Sequence, residues 1–474
     1  MKKLSFLAIA FLFIFTLSAC GGGSEGGQAP TWDDEEEDFA YTEDAEITIG
    51  VDSDSMGDAL VEKWNEDFPE LEGMVDFQNY GSANDDNAGM QGIELQENEA
   101  PDIALVIDGE VIGRKGNVYP MDDHFQDIGE EQTQENAFEE INDDDLYYLP
   151  AFYDGMAFSW NEQILDDLGI DTTDDNGDGL PESIDTWEKI FDIAEDLNES
   201  DYSGDWDDES DRPIIEVPNN DEEYTMNEMF PISLDEAWSG YSSLTAGGWQ
   251  LFESGELDQP GFDSDDFEEG LDFIKTFSET DMSVDETGSK LDADDMGWRW
   301  DSYLQGAYPM SLVGTWQDIS QAEEDTGFDF HFSKMPTYDG QELTPFMKTK
   351  GFVVNGYTEY PSTAHKVLNW LYSQDTFETM IDNSSYLPAL QEDASIFPEI
   401  DDENKTEFTA GMENNTLEII GTLPNNDSVA AMDAFYNIDI TEFMKDLWNG
   451  ETTPADARTD IDEIAQDWLE ENNQ

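Results

Sequence analysis

A continuous apolar run, IALVI at residues 103–107, is the feature that most limits how this chain can fold. Strands that read as unbroken apolar runs are typical of parallel sheets, whose two faces are both covered by helices. Upstream, Ile47, Ile49 and Val51 alternate as in a strand, and the next segment carries apolar residues at helical spacing. This order of strand, helix and strand predicts a βαβ unit and an α/β fold.

The length of the chain predicts more than one hydrophobic core. About 430 residues follow Glu46, where the predicted folded part begins. Single cores stop growing at roughly 250–300 residues, so we predict two domains. The acid-rich stretch 198–225 is interpreted as a surface insertion rather than a linker between them.

The charge of the chain is extreme. It has 116 Asp and Glu residues against 17 Lys and Arg, which gives a formal net charge of -99 at pH 7. Hydrophobic residues still make up 38% and aromatic residues 12%, too much for an acidic disordered protein. In molar salt the Debye length falls to roughly 3 Å, which screens such a surface. The composition therefore predicts a globular protein of a halophile, and it argues against nucleic acid as a partner.

The N-terminus predicts an export signal. Two lysines precede an apolar run at residues 4–17, which is too short for a comfortable membrane span. The run leads into Leu-Ser-Ala-Cys, which resembles the bacterial lipobox, and its Cys20 is the chain's only cysteine. We predict a lipoprotein signal peptide over 1–20, membrane anchoring through a lipid on Cys20, and no disulfide. The stretch 21–45, rich in glycine and acids, is predicted to be a flexible tether.

Common catalytic signatures are missing from the sequence. It contains no G-x-S-x-G elbow, no Walker loop and no G-x-G-x-x-G motif after a strand. His124, His331 and His365 lie far apart and lack a second ligand at zinc spacing, so satisfied or exposed histidines are the favoured interpretation. A glycosidase needs only two carboxylates, however. The many acids therefore leave a secreted carbohydrate-active enzyme open.

One segment, DDNGDGLPESID at residues 174–185, has the spacing of an EF-hand-type calcium loop. Hard oxygen ligands and a turn-permitting glycine stand at the expected positions, with Asp in place of the terminal Glu. A helix-capping box formed by Asp185 and Glu188 is the alternative interpretation. No cofactor is expected to be required, and a Ca²⁺ bound at this loop would have a structural role. Its predicted ligands are Asp174, Asn176, Asp178, Leu180 through its carbonyl, Glu182 and Asp185.

Several stretches follow one another in a characteristic order. They are APDIALVID (100–108), GNVYPMDD (116–123), YYLPAFYDGMAFSWNEQILDDLGI (147–170), TWEKIFDIAEDL (186–197), GYSSLTAGGWQLF (240–252), YPMSLVGTWQDIS (308–320) and YLPAL (386–390). Together they resemble the solute-binding proteins of ABC importers, in the maltose- and oligosaccharide-binding group, over nearly all of residues 46–474. Their order and spacing carry the resemblance, since no single motif is specific.

The resemblance implies a two-lobe α/β protein of the periplasmic-binding-protein fold, with a hinge and a ligand cleft between the lobes. It places lobe I at residues 46–150 and 345–400, and lobe II at 151–344 and 401–474.

The resemblance also implies which side chains meet the ligand. Sugars stack their C–H faces on aromatic rings and bond their hydroxyls to carboxylates. Asp154 falls where the family places a sugar-binding carboxylate, and Trp316 falls on its stacking tryptophan. Burial in the core is the alternative for the aromatic candidates, and a surface position is the alternative for Asp154. The predicted ligand-binding residues are Asp52, Asp54, Asp108, Tyr153, Asp154, Trp238, Trp316, Phe435 and Tyr436.

Three functional classes follow from these patterns. The favoured class is a monomeric, lipid-anchored protein on the extracellular face of the membrane that catalyses nothing. It captures a neutral sugar or a maltodextrin-like oligosaccharide and delivers it to the membrane subunits of an ABC permease. Only four arginines occur in the chain, which argues against a phosphorylated or strongly anionic solute. The alternatives are a secreted glycosidase or lyase and a structural protein of the cell surface.

Overall fold

The computed structural model describes residues 30–33, 38–79, 93, 100–107, 115–121, 123–133, 146–199, 212–220, 222–251, 260–280, 282–283, 289–391, 394–400, 402–412, 415–417, 435 and 438–472. Within these ranges, none of the helices combines the length and the hydropathy that a membrane span requires.

Strands and helices alternate along most of the described chain. The strands are β1 (Trp32–Asp33), β2 (Asp38–Phe39), β3 (Ile47–Val51), β4 (Val75–Asn79), β5 (Ile103–Ile107), β6 (Leu149–Asn161), β7 (Ile214–Glu216), β8 (Glu223–Thr225), β9 (Met310–Gly314), β10 (Phe330–Ser333), β11 (Thr337–Tyr338), β12 (Gln341–Glu342), β13 (Phe346–Val354), β14 (Leu387–Pro388) and β15 (Thr416–Leu417). The helices are α1 (Asp54–Asp67), α2 (Asp123–Gln132), α3 (Glu162–Asp167), α4 (Trp187–Glu199), α5 (Ala237–Leu244), α6 (Asp265–Ser278), α7 (Trp300–Leu304), α8 (Ile319–Thr326), α9 (Pro361–Leu371), α10 (Gln374–Asp382), α11 (Glu403–Gly411), α12 (Ile440–Asn449) and α13 (Pro454–Asn472).

The main sheet has the strand order β10-β6-β13-β5-β3-β4. Strand β3 is parallel to both β4 and β5, and α1 connects β3 to β4. Helix α1 begins at Ser53, whose side chain accepts a hydrogen bond from the Met56 amide, and it buries Leu60 and Trp64. The α/β fold class predicted from the sequence is therefore confirmed. The strand that follows α1 is β4, however, whereas the predicted strand at 103–107 is β5, on the other side of β3.

Two long strands, β6 and β13, connect the two halves of the sheet. The first part of β6 pairs with β13 and β14, and its second part pairs with β9 and β10. The register between β6 and β13 shifts between Lys350 and Gly351, where an added Cβ on the glycine would lie 2.3 Å from the Leu149 carbonyl oxygen. An irregularity of this kind bends a sheet locally. The irregularity lies directly after Lys350.

Separate hydrophobic cores pack on the two halves of the sheet. One core includes Trp64, Phe125 and Phe352, and we call the half that packs on it lobe I. The other includes Trp187 and Trp448 and defines lobe II. Trp316 is partly buried against both cores, so it lies where the two lobes meet.

The folded part begins earlier than the sequence predicts. Residues 30–33 and 38–45 belong to the stretch assigned to the flexible tether, yet β1 and β2 pair as a short hairpin. Phe39 is only 2% exposed, and Asp38 forms an ion pair with Lys366 on α9. Two-residue strands have too few positions to show periodicity, which is why the sequence pattern gives no sign of the hairpin.

Candidate functional site

A buried lysine, two carboxylates and a phenol meet near the junction of the lobes. Lys350 on β13 places its Nζ 2.9 Å from Oδ2 of Asp52 and 3.5 Å from Oδ2 of Asp154. It also donates a hydrogen bond to the Tyr386 hydroxyl, which donates in turn to Asp52. We call these four residues the Lys350 cluster. They come from the end of β3, from β6, from β13 and from the segment before β14.

The charges in the Lys350 cluster stabilise one another. Burial alone lowers the pKa of Lys350, but Asp154, Tyr386 and Asp52 outweigh it and raise that pKa well above its ordinary value. Burial also raises the pKa of Tyr386 well above that of a free phenol. At neutral pH the lysine is therefore charged and the phenol neutral. Counted formally, two carboxylates face one ammonium.

Asp154 extends this cluster toward the tryptophans. The Thr315 hydroxyl donates to its Oδ1 at 3.0 Å, and the residue is only 6% exposed. The same hydroxyl accepts a hydrogen bond from the Gly155 amide at 3.2 Å. Because Trp316 follows Thr315 directly, the charged side chains and the aromatic rings adjoin.

Three tryptophans pack together beside the charged group. The ring centroid of Trp316 lies 5.5 Å from that of Trp238 and 5.4 Å from that of Trp298, the second pair being edge to face. The Nζ of Lys348 lies 5.0 Å from the Trp238 ring centroid. Lys348 and Lys350 are two positions apart on β13, so they share a face of the strand. We call Trp238, Trp298 and Trp316 the tryptophan cluster.

Gly314, two residues before Trp316, is required by the packing of the indole. A Cβ on Gly314 would lie 2.3 Å from Cζ2 of Trp316. We therefore expect Gly314→Ala to displace the ring and to destabilise the protein by roughly 1–3 kcal/mol. Displacing the Trp316 ring from the neighbouring tryptophan rings should weaken the near-UV circular dichroism signal, which is the measurement. Gly116→Ala is the control, since nothing lies within 4 Å of its new Cβ. An unchanged spectrum for Gly314→Ala would show that the ring does not depend on this glycine.

The structure brings four of the predicted ligand-binding residues together. Asp52 and Asp154 belong to the Lys350 cluster, and Trp238 and Trp316 belong to the tryptophan cluster. Tyr153 precedes Asp154 on β6, and its half-buried ring packs against the core of lobe II. Burial raises the pKa of its hydroxyl to about 12.

Other predicted residues have different surroundings. Asp54 is exposed and accepts a hydrogen bond from Asn79 at 2.8 Å, not from the Lys350 cluster. Phe435 is fully buried, with its ring edge-on to Tyr241 and Phe346, so the structure gives it a packing role in lobe II. Three predicted positions lie outside the described residues, namely Cys20, Asp108 and Tyr436.

Sequence reasoning missed three side chains of these two clusters, namely Lys350, Tyr386 and Trp298, and it also missed Thr315, which donates to Asp154. A signal for the lysine exists in the stretch KTK at residues 348–350, which concentrates two of the chain's 17 basic residues. Trp298 belongs to the stretch GWRW at 297–300, where two tryptophans flank an arginine. Tyr386 and Thr315 lie in stretches that resemble the family, YLPAL and YPMSLVGTWQDIS, but nothing in these stretches indicates their partners, which are distant in sequence.

An ion pair between a partly exposed arginine and a buried carboxylate lies next to the tryptophan cluster. Arg299, between Trp298 and Trp300, donates hydrogen bonds to the Glu228 carboxylate and to the Asp295 carbonyl. Glu228 is completely buried. Burial raises the pKa of its carboxyl to about 7, although the charge of Arg299 opposes the rise.

The predicted calcium loop closes on its own backbone. Several of its side-chain oxygens accept hydrogen bonds from amides within the loop; they belong to Asp174, Asn176, Asp178 and Glu182. Leu180 is buried, and Asp185 forms an ion pair with Lys189 at 2.6 Å. Among the described residues, no group of three or more His, Cys, Asp or Glu side chains is arranged to hold a metal ion. Calcium binding at this loop stays a prediction.

Comparisons with known proteins identify the family and the fold of the chain. A family model described as bacterial extracellular solute-binding protein matches residues 63–405. The curated proteins contain no match to the chain. Among solved structures, it is similar to the GacH receptor of Streptomyces glaucescens GLA.O, with a TM-score of 0.64 and 15% identity over 90% of this chain and 98% of that chain. The GacH receptor was determined unliganded and in complex with acarbose and an acarbose homolog. At this identity the likeness shows the fold, which is the two-lobe periplasmic-binding-protein fold.

Proposed function

Because the chain belongs to the family of bacterial extracellular solute-binding proteins, we propose that it captures a sugar or an oligosaccharide between its two lobes. The observation that carries the proposal is the proximity of two kinds of side chain at the lobe junction, where Thr315 donates to Asp154 and is followed directly by Trp316. The tryptophan cluster provides flat apolar rings, and the adjoining Lys350 cluster provides carboxylates. The GacH receptor, which has a similar fold, was solved with acarbose bound.

Saccharides combine the two properties that such a site recognises. Their C–H faces pack on aromatic rings, and their hydroxyls donate to carboxylates through charge-assisted hydrogen bonds. The position of Trp316 against both hydrophobic cores allows a bound ring to contact both lobes at once. Closure of the lobes around the ligand would then follow from contacts that exist only in the closed state.

The cellular setting belongs to the same proposal. The protein is held at the extracellular face of the membrane by a lipid on Cys20, works as a monomer and delivers its ligand to the membrane subunits of an ABC permease. The signal sequence and the single cysteine support the anchor. The net charge of -99 supports a salt-rich medium, in which screening makes so acidic a surface tolerable. The lobe boundaries at residues 150, 344 and 400 are part of this proposal.

A thermal-shift screen of mono- and oligosaccharides in molar salt tests the proposed function. A true ligand raises the melting temperature in proportion to the logarithm of its concentration once it exceeds the dissociation constant. If no saccharide does so, the proposal is wrong. Oligosaccharide cleavage in the same mixtures would instead favour the secreted enzyme. No described side-chain arrangement specifically favours that alternative, and the carboxyl with a pKa of about 7, Glu228, is fully buried.

Trp316→Ala is expected to weaken the binding of any saccharide found in this screen by about tenfold or more, which is roughly 1.4 kcal/mol. The variant removes the ring that lies between the two lobes. Isothermal titration calorimetry measures the affinity. Trp468→Ala is the matched control, because Trp468 is a partly buried tryptophan on α13 that, among the described residues, packs against the core of lobe II and not against that of lobe I. Equal affinities for wild type and Trp316→Ala would remove this residue from the site.

A further inference from the structure

The ammonium group of Lys350 is already engaged by the protein. An ammonium carries three hydrogen donors, and three groups surround that of Lys350, namely Asp52, Asp154 and Tyr386. A sugar acid or a sugar phosphate that enters the site therefore meets a cation whose charge and donors are matched. Releasing that cation for the ligand would leave the buried carboxylates uncompensated.

One carboxylate oxygen of the Lys350 cluster can still accept a hydrogen bond from a ligand. Lys350 and Tyr386 both contact Oδ2 of Asp52, and no donor among the described residues contacts its Oδ1. The Asp52 side chain is 17% exposed, compared with 8% for that of Asp154. Asp52 is therefore the more accessible acceptor of the pair.

The second lysine of the site is also faced by acids. The Nζ of Lys348 lies over the Trp238 ring, and its charge partly offsets the rise that burial causes in the pKa of Glu236. Asp235 is close enough to Glu236 to raise that pKa further. Among the described residues, the acids named around the two lysines are therefore in formal excess; they are Asp52 and Asp154 at Lys350, and Glu236, with Asp235 beside it, at Lys348.

We propose that this site selects saccharides by charge, binding an amine-bearing saccharide most tightly, its neutral parent next, and a carboxylate-bearing analogue least. The proposal rests on the proposed function, since it assigns a ligand class to the same site. An ammonium group can replace a hydroxyl as the donor to Oδ1 of Asp52, and the hydrogen bond then joins two opposite charges instead of a neutral donor and a charged acceptor. A uronate places a like charge beside an excess of carboxylates.

The test uses three saccharides that differ in one substituent. The probes are maltotriose and two trisaccharides of the same linkage in which one unit is glucosamine or glucuronate. If the thermal-shift screen identifies another neutral saccharide, the trio is built on that one. Calorimetry measures the three affinities in molar salt. The salt screens the surface charges, which would otherwise attract any cation. We expect the glucosamine-containing trisaccharide to bind about tenfold more tightly than maltotriose, and maltotriose to bind about tenfold more tightly than the glucuronate-containing one.

Asp52→Asn tests whether this residue sets the order. The substitution keeps the size of the side chain and removes its charge, so the advantage of the amine over the neutral parent should fall about tenfold. Asp58→Asn is the matched control, because Asp58 is an exposed acid one turn into α1 and its loss changes the net charge equally. The control should preserve the wild-type order.

The outcomes separate this inference from the proposed function. If no saccharide of any charge binds, the proposed function itself fails. If the neutral saccharide binds but the uronate binds as tightly, or the amine binds no better, the charge selection is wrong and the sugar site stands. If Asp52→Asn and Asp58→Asn change the order of the three affinities equally, the selection depends on the overall charge of the protein and not on Asp52. The wild-type order decides the question even where Asp52→Asn fails to fold.

Discussion

Lys350→Met is expected to lower the free energy of unfolding by roughly 3–5 kcal/mol, because removing one partner of a buried ion pair leaves the other charges uncompensated. In the variant, Asp52 and Asp154 lose the ammonium that lies 2.9 and 3.5 Å from their carboxylates. Tyr386 loses a donor to its hydroxyl as well. Denaturant unfolding at a fixed molar salt concentration measures the effect.

Two further variants distinguish charge from packing as the cause. Removing both carboxylates together with the lysine, in Lys350→Met, Asp52→Asn and Asp154→Asn, should restore part of the lost stability. Lys189→Met is the control, since its ion pair with Asp185 is exposed and such pairs contribute about 0–1 kcal/mol. A loss for Lys350→Met no larger than for Lys189→Met would contradict the interpretation of the Lys350 cluster as a buried network.

The direction in which the pKa of Lys350 changes determines the pH range in which its contribution to stability is lost. The pKa of Lys350 is raised in the folded protein. Its stabilisation is therefore fully present at pH values below the ordinary lysine pKa, and it is lost only as the pH rises through the higher folded value. The difference between wild type and Lys350→Met should accordingly stay constant across neutral pH.

The architecture could be predicted from the sequence where local patterns determine it. The apolar run at 103–107 became β5 of the main sheet, and the helical spacing near residue 60 became α1. The N-terminal hairpin could not be predicted in this way. Phe39 is buried by its contact with α9 and α2 rather than by any periodicity of its own segment, and its ring stacks on Phe125.

The site shows the same division between local and distant information. Trp316 and Asp154 lie in stretches that resemble family motifs, so the sequence alone is enough to predict them as ligand-binding residues. Lys350 contacts Asp52 across 298 positions and Tyr386 contacts Asp52 across 334 positions of the chain. One sequence contains no record of such pairings, and a lysine in a strand is as consistent with an edge as with a buried ion pair. Only the strand order β6-β13-β5-β3 brings these residues together.

The buried acid beside the tryptophan cluster leads to a second large effect, on the pH dependence of stability. The pKa of Glu228 is raised from its ordinary 4.5 to about 7, first by burial and against the opposing charge of Arg299. A raised carboxyl pKa means that the folded state binds the proton more tightly than the unfolded state does. Its contribution is therefore fully present below pH 4.5 and is lost as the pH rises to about 7.

Glu228→Gln is expected to remove this loss, because an amide of the same size has no proton to release. Relative to the variant, the wild type should lose about 3 kcal/mol of unfolding free energy between pH 4.5 and 7. Unfolding in denaturant at several pH values measures the difference, in which the titration of the other acids cancels. Glu279→Gln is the control, since Glu279 is exposed and the hydrogen bond from Lys275 lowers its pKa, which reverses the sign. Parallel stability curves for wild type and Glu228→Gln would mean that the carboxyl titrates normally, and that Arg299 holds it as a charged partner throughout this range.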